Sequence, residues 1–236
     1  MVVAMHMSDG LVNAPTALGF GVLAILVLAV AGTRARADLD DRTAPMAGLV
    51  TAFVFAVQMI NFPILPGASG HLLGGALVAI LVGPWVGCLC IAIVLVVQGV
   101  LFADGGLTAL GTNITNMAIV GVFTGYLVAW SLRRFARRSQ AGLVAVAFIS
   151  AFVNTIVASL AFVLEYAIGG AGAASLGTVF TLMVGLHALI GIGEGLITAA
   201  TVGAVGATRP DLIYLLRESA SPTAPSGSRI AGPGSA

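Results

Sequence analysis

Apolar residues fill six long runs of this chain, at about 14–32, 45–61, 71–102, 107–131, 142–168 and 178–207, and polar positions cluster between them. A helix needs roughly 20 apolar residues to cross ~30 Å of hydrocarbon. Five runs fit one crossing each. The sixth, 71–102, would make a helix of about 48 Å at ~1.5 Å per residue, too long for one ordinary span. It contains Gly83-Pro84, a plausible helix break. The pattern therefore predicts an all-α polytopic membrane protein with either six or seven spans.

The arginines choose between these counts. The chain has ten Arg and no Lys. They fall in three groups: Arg34, Arg36 and Arg42; Arg133, Arg134, Arg137 and Arg138; Arg209, Arg217 and Arg229. Cytoplasmic loops collect such residues. With 71–102 as one span, RRFARR would face away from the other two groups. With two spans, all three share a side. The expectation is a seven-span helical bundle with the N-terminus outside and the C-terminus cytoplasmic. MHMSDG, NFPILPGASG and the FADGG turn then share the outer face. The segment 71–82 is too short to cross alone, so His71 is expected in or near an outward-facing cavity. Three regions follow: 1–13 as an N-terminal segment, 14–216 as the transmembrane bundle, and 217–236 as a disordered cytoplasmic tail rich in Ser, Pro, Gly and Ala.

Composition sharpens this picture. The chain is 59% apolar and 8% charged, with mean hydropathy +1.09. A net charge of +1 gives no reason to invoke nucleic acid. Cys88 and Cys90 lie in an apolar run and read as structural thiols, without a disulfide framework or zinc motif. No Lys or Arg precedes the first apolar run and no small-residue cleavage site ends it, so that run is expected to remain as a span. The GxxxxGK[ST] pattern is absent, so the chain carries no ATPase motif of its own.

Few polar groups remain inside the spans, and each needs a reason. Glu194 follows His187 by seven residues, on the same helix face. Glu165 lies near an outer end, within reach of the interface. Gln98, Asn113, Asn116 and Asn154 suit interhelical hydrogen bonds. The remaining histidines, His6 and His71, both fall on the outer side. Imidazole is a common ligand for Co²⁺, Ni²⁺, Cu²⁺ and Zn²⁺. If Met5 is the first residue, its amine, the His6 amide nitrogen and His6 Nδ1 can chelate one ion in five- and six-membered rings. His71 could complete a square plane, a geometry favouring Ni²⁺ or Cu²⁺ and compatible with Co²⁺. Such a site requires a deprotonated amide and weakens in acid.

MHMSDGL, INFPILPGASGHLLGGAL, GPWVG, VVQGVLFADGGLTALGTNITNM, GLHALIGIGEGLIT and RPDLIY resemble the substrate-binding membrane component of cobalt/nickel energy-coupling factor transporters, the CbiM/NikM type. The likeness runs from about Met5 to Leu216. It implies a seven-span bundle whose N-terminal segment folds back into it. It also implies a metal site of Met5, His6 and His71 that takes Co²⁺ or Ni²⁺ as transported substrate, with no organic cofactor. The implied partners are a transmembrane coupling component, two cytoplasmic ATPases that use the ATP, and often a small accessory membrane subunit. The implied location is the cell membrane of a prokaryote. Asp9, Asn61, Ser69, His187 and Glu194 are candidates for the surroundings of the ion or its path.

The chain departs from the family pattern in two places. Met7-Ser8 stands where the family usually has Ile-Pro. Met1-Val2-Val3-Ala4 precedes the Met-His pair, and with those residues attached the nitrogen of Met5 is an ordinary amide. Three explanations are open: a true start at Met5, trimming of the leader, or a site that works differently. A proton-coupled secondary carrier using His187 and Glu194 is the alternative transport mechanism, although the two halves show no obvious repeat. An intramembrane metalloenzyme is disfavoured by the absence of HExxH.

Overall fold

The computed structural model describes residues 6–65 and 68–217, with residues 61–65 and 68–69 as backbone only. The architecture is helical, with one small hairpin that the sequence reading missed. The helices are α1 (Ala14–Asp38), α2 (Thr43–Gln58), α3 (Gly75–Val82), α4 (Pro84–Leu101), α5 (Leu110–Ser131), α6 (Gln140–Gly169) and α7 (Leu176–Thr208). Between α2 and α3, strands β1 (Asn61–Leu65) and β2 (Ala68–His71) pair antiparallel, with Asn61 opposite His71. Five helices, α1, α4, α5, α6 and α7, are long and apolar enough to cross a membrane. This is a multi-pass membrane protein.

Local chemistry sets the boundaries. Asn13 Oδ1 accepts from Thr16 N at 3.0 Å and Pro15 sits in the first turn, so α1 starts where its sequence offers a cap. Ser139 and Ser175 cap α6 and α7 in the same way. The 71–102 run does break at Gly83-Pro84. Gly83 adopts φ +91° with the Tyr214 ring against it; a Cβ there would lie 2.8 Å from the ring. Pro84 then opens α4, where its missing N–H costs nothing.

Every residue of α3 is buried. At ~1.5 Å per residue it is only about 12 Å long, with the β1–β2 hairpin directly before it. Such non-helical backbone is tolerated where protein surrounds it. Within α5, residues Ile114–Gly121 form a π-helical stretch, which turns Asn113, Asn116 and Met117 toward one interior cavity.

The bundle has two chemically different ends. At one end, Arg42 approaches Asp211 at 3.6 Å, Arg217 approaches Asp40 at 4.0 Å, and Arg137 donates to the Arg217 carbonyl at 2.8 Å. The three arginine groups, as far as Arg217, thus meet on one side, as their spacing predicts. Asp40 is lowered to about 2, chiefly because it accepts from the Thr43 amide. At the other end lie the N-terminal segment, the Asp104 turn and the connection from α6 to α7.

Candidate metal centre

The N-terminal segment is folded into the bundle by main-chain and amide bonds. Met7 N donates to Asn113 Oδ1 at 3.0 Å, and Asn113 Nδ2 donates back to the Met7 carbonyl at 3.1 Å. Gly106 N donates to the same carbonyl at 3.0 Å. Further along, Ala171 N donates to the Leu11 carbonyl at 2.9 Å and Asn13 N to the Gly169 carbonyl at 2.7 Å. Met7, Leu11 and Val12 pack on Phe162, Tyr166, Val179 and Met183. Apolar burial and paired backbone groups together hold a segment that would otherwise fray.

This docking buries His6, which is 4% exposed. Its Nδ1 lies 3.2 Å from Asp104 Oδ1, and its Nε2 is buried with no hydrogen-bond partner among the described residues. Gly105, at φ +90°, lets the turn pass close over the ring; a Cβ there would lie 2.9 Å from His6 Cβ. The His71 ring stands 4.5 Å from the His6 ring, centroid to centroid, tilted by 54°. His71 Nδ1 is 2.8 Å from the Leu72 carbonyl. A carbonyl only accepts, so Nδ1 carries the proton and Nε2 keeps a lone pair. The Nε2 lone pair is the one His71 can offer a metal.

His187 joins the same cavity from α7. Its Nδ1 donates to the Met183 carbonyl at 2.7 Å, which leaves Nε2 with a lone pair. The cavity holds about 40 Å³, and His6, His71, His187, Asn113, Met117 and Met183 are among the residues lining it. All three histidines of the chain face one space. Among the described residues, no three His, Cys, Asp or Glu side chains are spaced to hold a metal ion.

The remaining sequence candidates divide. Met5 lies outside the described residues. Asn61 and Ser69 are described in backbone only, with Asn61 paired to His71 and Ser69 to Pro63. Asp9 does not line the cavity. Its Oδ1 accepts from Thr108 N at 2.7 Å and Thr108 Oγ1 at 2.5 Å, and the hydroxyl bond chiefly lowers its pKa. It fastens the N-terminal segment instead.

Glu194 is not paired with His187; it accepts from Leu73 N at 2.5 Å and Gly74 N at 2.8 Å. Glu165 does not reach an interface. It is 2% exposed, and its Oε2 accepts from Asn116 Nδ2 at 2.6 Å. Cys88 and Cys90 are buried and unpaired.

Sequence reasoning missed two pairings. Asp104 read as a loop acid near the two histidines without being paired to His6, and Asn113 as an interhelical bond former. Their partners lie 98 and 106 residues away. The glycine pair after Asp104 was the available signal.

Comparison with known proteins agrees with this architecture. Residues 6–212 match the CbiM family, described as the cobalt uptake substrate-specific transmembrane region. The chain belongs to this family of metal transport proteins. It is 41% identical over 209 residues to a protein of Archaeoglobus fulgidus provisionally named fused nickel transport protein NikMN, covering 89% of this chain and 68% of that one. It is 32% identical over 220 residues to the cobalt transport protein CbiM of Sorangium cellulosum, covering 90% and 96%. A crystal structure of a transition metal transporter superposes with TM-score 0.78 at 28% identity, covering 86% of this chain and 93% of that one.

Proposed function

We propose that this protein captures Co²⁺ or Ni²⁺ outside the cell and delivers it across a prokaryotic cell membrane as the substrate-specific component of an energy-coupling factor transporter. It crosses the membrane seven times, the hairpin and α3 together making the third pass, with the N-terminus outside and the arginine end in the cytoplasm. A transmembrane coupling component and two cytoplasmic ATPases supply the driving force, and a small accessory membrane subunit completes the assembly. The observation that carries this reading is the meeting of His6 and His71, 65 residues apart in sequence, as neighbouring buried rings under a clamped N-terminal segment.

Met5, His6 and His71 hold the ion: the Met5 amine, the His6 amide nitrogen and two imidazoles make a nitrogen plane. This binding mode needs a chain that begins at Met5. It also needs His6 Nδ1, which faces Asp104 in the structure; metal entry then exchanges that contact for a metal bond. Among the described residues no three His, Cys, Asp or Glu side chains are spaced to hold an ion, which favours main-chain and terminal nitrogens as the remaining ligands. The neutral donors suit late first-row divalent ions. The proton-coupled alternative gains nothing from Glu194 and His187, whose bonds go to different groups.

Titrating the purified full chain with Ni²⁺ tests the ligand set. His71→Ala should abolish high-affinity binding. An unchanged affinity in that variant contradicts the site.

A further inference from the structure

The segment that carries His71 ends in two residues, Leu73 and Gly74, whose main chain is held by side chains from two helices, one of them braced by a third. From α7, Glu194 Oε2 accepts from Leu73 N and Oε1 from Gly74 N, at 2.5 and 2.8 Å. From α6, Asn154 Nδ2 donates to Glu194 Oε1 at 3.3 Å. From α2, Gln58 Nε2 donates to the Leu73 carbonyl at 2.7 Å. All three side chains are buried, Glu194 to 2% and the other two to 0% exposure. Gly74 adopts φ +77°, and a Cβ there would lie 2.8 Å from Val54. The turn after His71 therefore has little freedom of its own and takes its place from these contacts.

We infer that Glu194 is a positioning residue for the metal site: its carboxylate grips the amides of Leu73 and Gly74 and so fixes where His71 presents its imidazole. The inference rests on the reading of His71 as a metal ligand. Three donors converge on this group, and a carboxylate has two oxygens that only accept. Its place at the N-cap Gly74 and the residue before it, where the positive end of the α3 dipole begins, suits an anion. A glutamine fills the same volume but turns an NH₂ toward one of these N–H groups. One buried amide then loses its acceptor, and the turn shifts to find another. Because the grip comes from α7, a movement of α7 against α2 also moves His71, which links release of the ion to helix rearrangement.

A double-variant cycle on the purified full chain, read by Ni²⁺ titration, tests this. Outer partners of metal ligands typically govern about 10–100-fold of affinity. Glu194→Gln should weaken Ni²⁺ binding by that factor where His71 is present, and should add no further loss in the His71→Ala background. Damage that acts elsewhere in the fold would add its loss in both backgrounds. No loss from Glu194→Gln, or equal losses with and without His71, overturns the inference. Retained affinity in His71→Ala alone overturns instead the ligand set on which it rests. If the glutamine variant fails to accumulate, Asn154→Leu removes one of the three donors while leaving the carboxylate. A few-fold loss dependent on His71 is then expected, and a loss independent of His71 counts against the inference.

Discussion

His6 and His71 lie side by side, yet they are held in opposite ways. His71 ends a hairpin whose exit is fixed from within the bundle, by Glu194, Gln58 and the packing around Gly74. His6 is held at one end of the bundle, by Asn113 at the start of α5 and by Gly106, Asp104 and the Asp9–Thr108 contact in the turn before it. The first anchorage is buried and shared among helices. The second latches a short segment to one turn and one helix end. In the proposed transporter the difference gives the two rings different parts: His71 would follow movements of the helices, and His6 would follow the docking of the N-terminal segment.

The comparison can be broken at several points. The largest effect falls on the ligand itself, where His71→Ala should abolish high-affinity Ni²⁺ binding. Next comes the start of the chain. Intact mass and the sequence of the N-terminal peptide distinguish a protein beginning at Met5 from one beginning at Met1. A protein beginning at Met5 should bind far more tightly, since only there does the Met5 nitrogen form an amine. Equal affinities for the two forms would remove the terminal amine from the site.

A smaller loss is expected at the latch. Asn113→Ala leaves the buried Met7 amide without its acceptor, a penalty of about 1–3 kcal/mol. Where docking limits binding, this is roughly a 10-fold or greater loss of affinity, since ~1.4 kcal/mol is one decade. Titration of that variant checks it, and wild-type affinity would mean that Asn113 does not govern docking. Asp9→Asn should have the least effect, because Thr108 lies at the surface and exposed contacts contribute little. Its lowered pKa means that Asp9 supports the docked segment while ionised. That support is present above the ordinary carboxylate range and is lost as pH falls through its folded value. Hydrogen exchange at the Thr108 amide should show protection kept at neutral pH and lost only below the ordinary carboxylate range; protection independent of pH would contradict this.

Acid tests the proposed chelate. Metal binding should weaken from pH 8 downward, because the amine and amide of the N-terminal chelate must lose protons to bind. Ni²⁺ titrations of the full chain across this range check it. Affinity independent of pH between 8 and 7 would argue against a deprotonated amide ligand.

Much of this organisation was legible in the chain. The arginine spacing placed three loops together, and Gly83-Pro84 marked the break that separates α3 from α4. His6 and His71 lie side by side. The hairpin was not legible, because NFPILPGASG offers Pro and Gly at turn-like spacing without the alternating apolar pattern of a strand. Glu194 was visible as a buried charge, but its spacing from His187 suggested the wrong partner. Helical periodicity tells which residues share a face; it cannot tell that a carboxylate will bond the main chain of an element 120 residues away. Asp104 and Asn113 were hidden for the same reason, since their partners are fixed by the fold.

X-ray absorption at the nickel edge, on the Ni²⁺-loaded full chain, tests the central claim most directly. The account predicts a four-coordinate, nitrogen-dominated ion with two imidazole scattering shells, one of which disappears in His71→Ala. A six-coordinate ion bound mainly by oxygen, or an imidazole signal unchanged by that substitution, would contradict it.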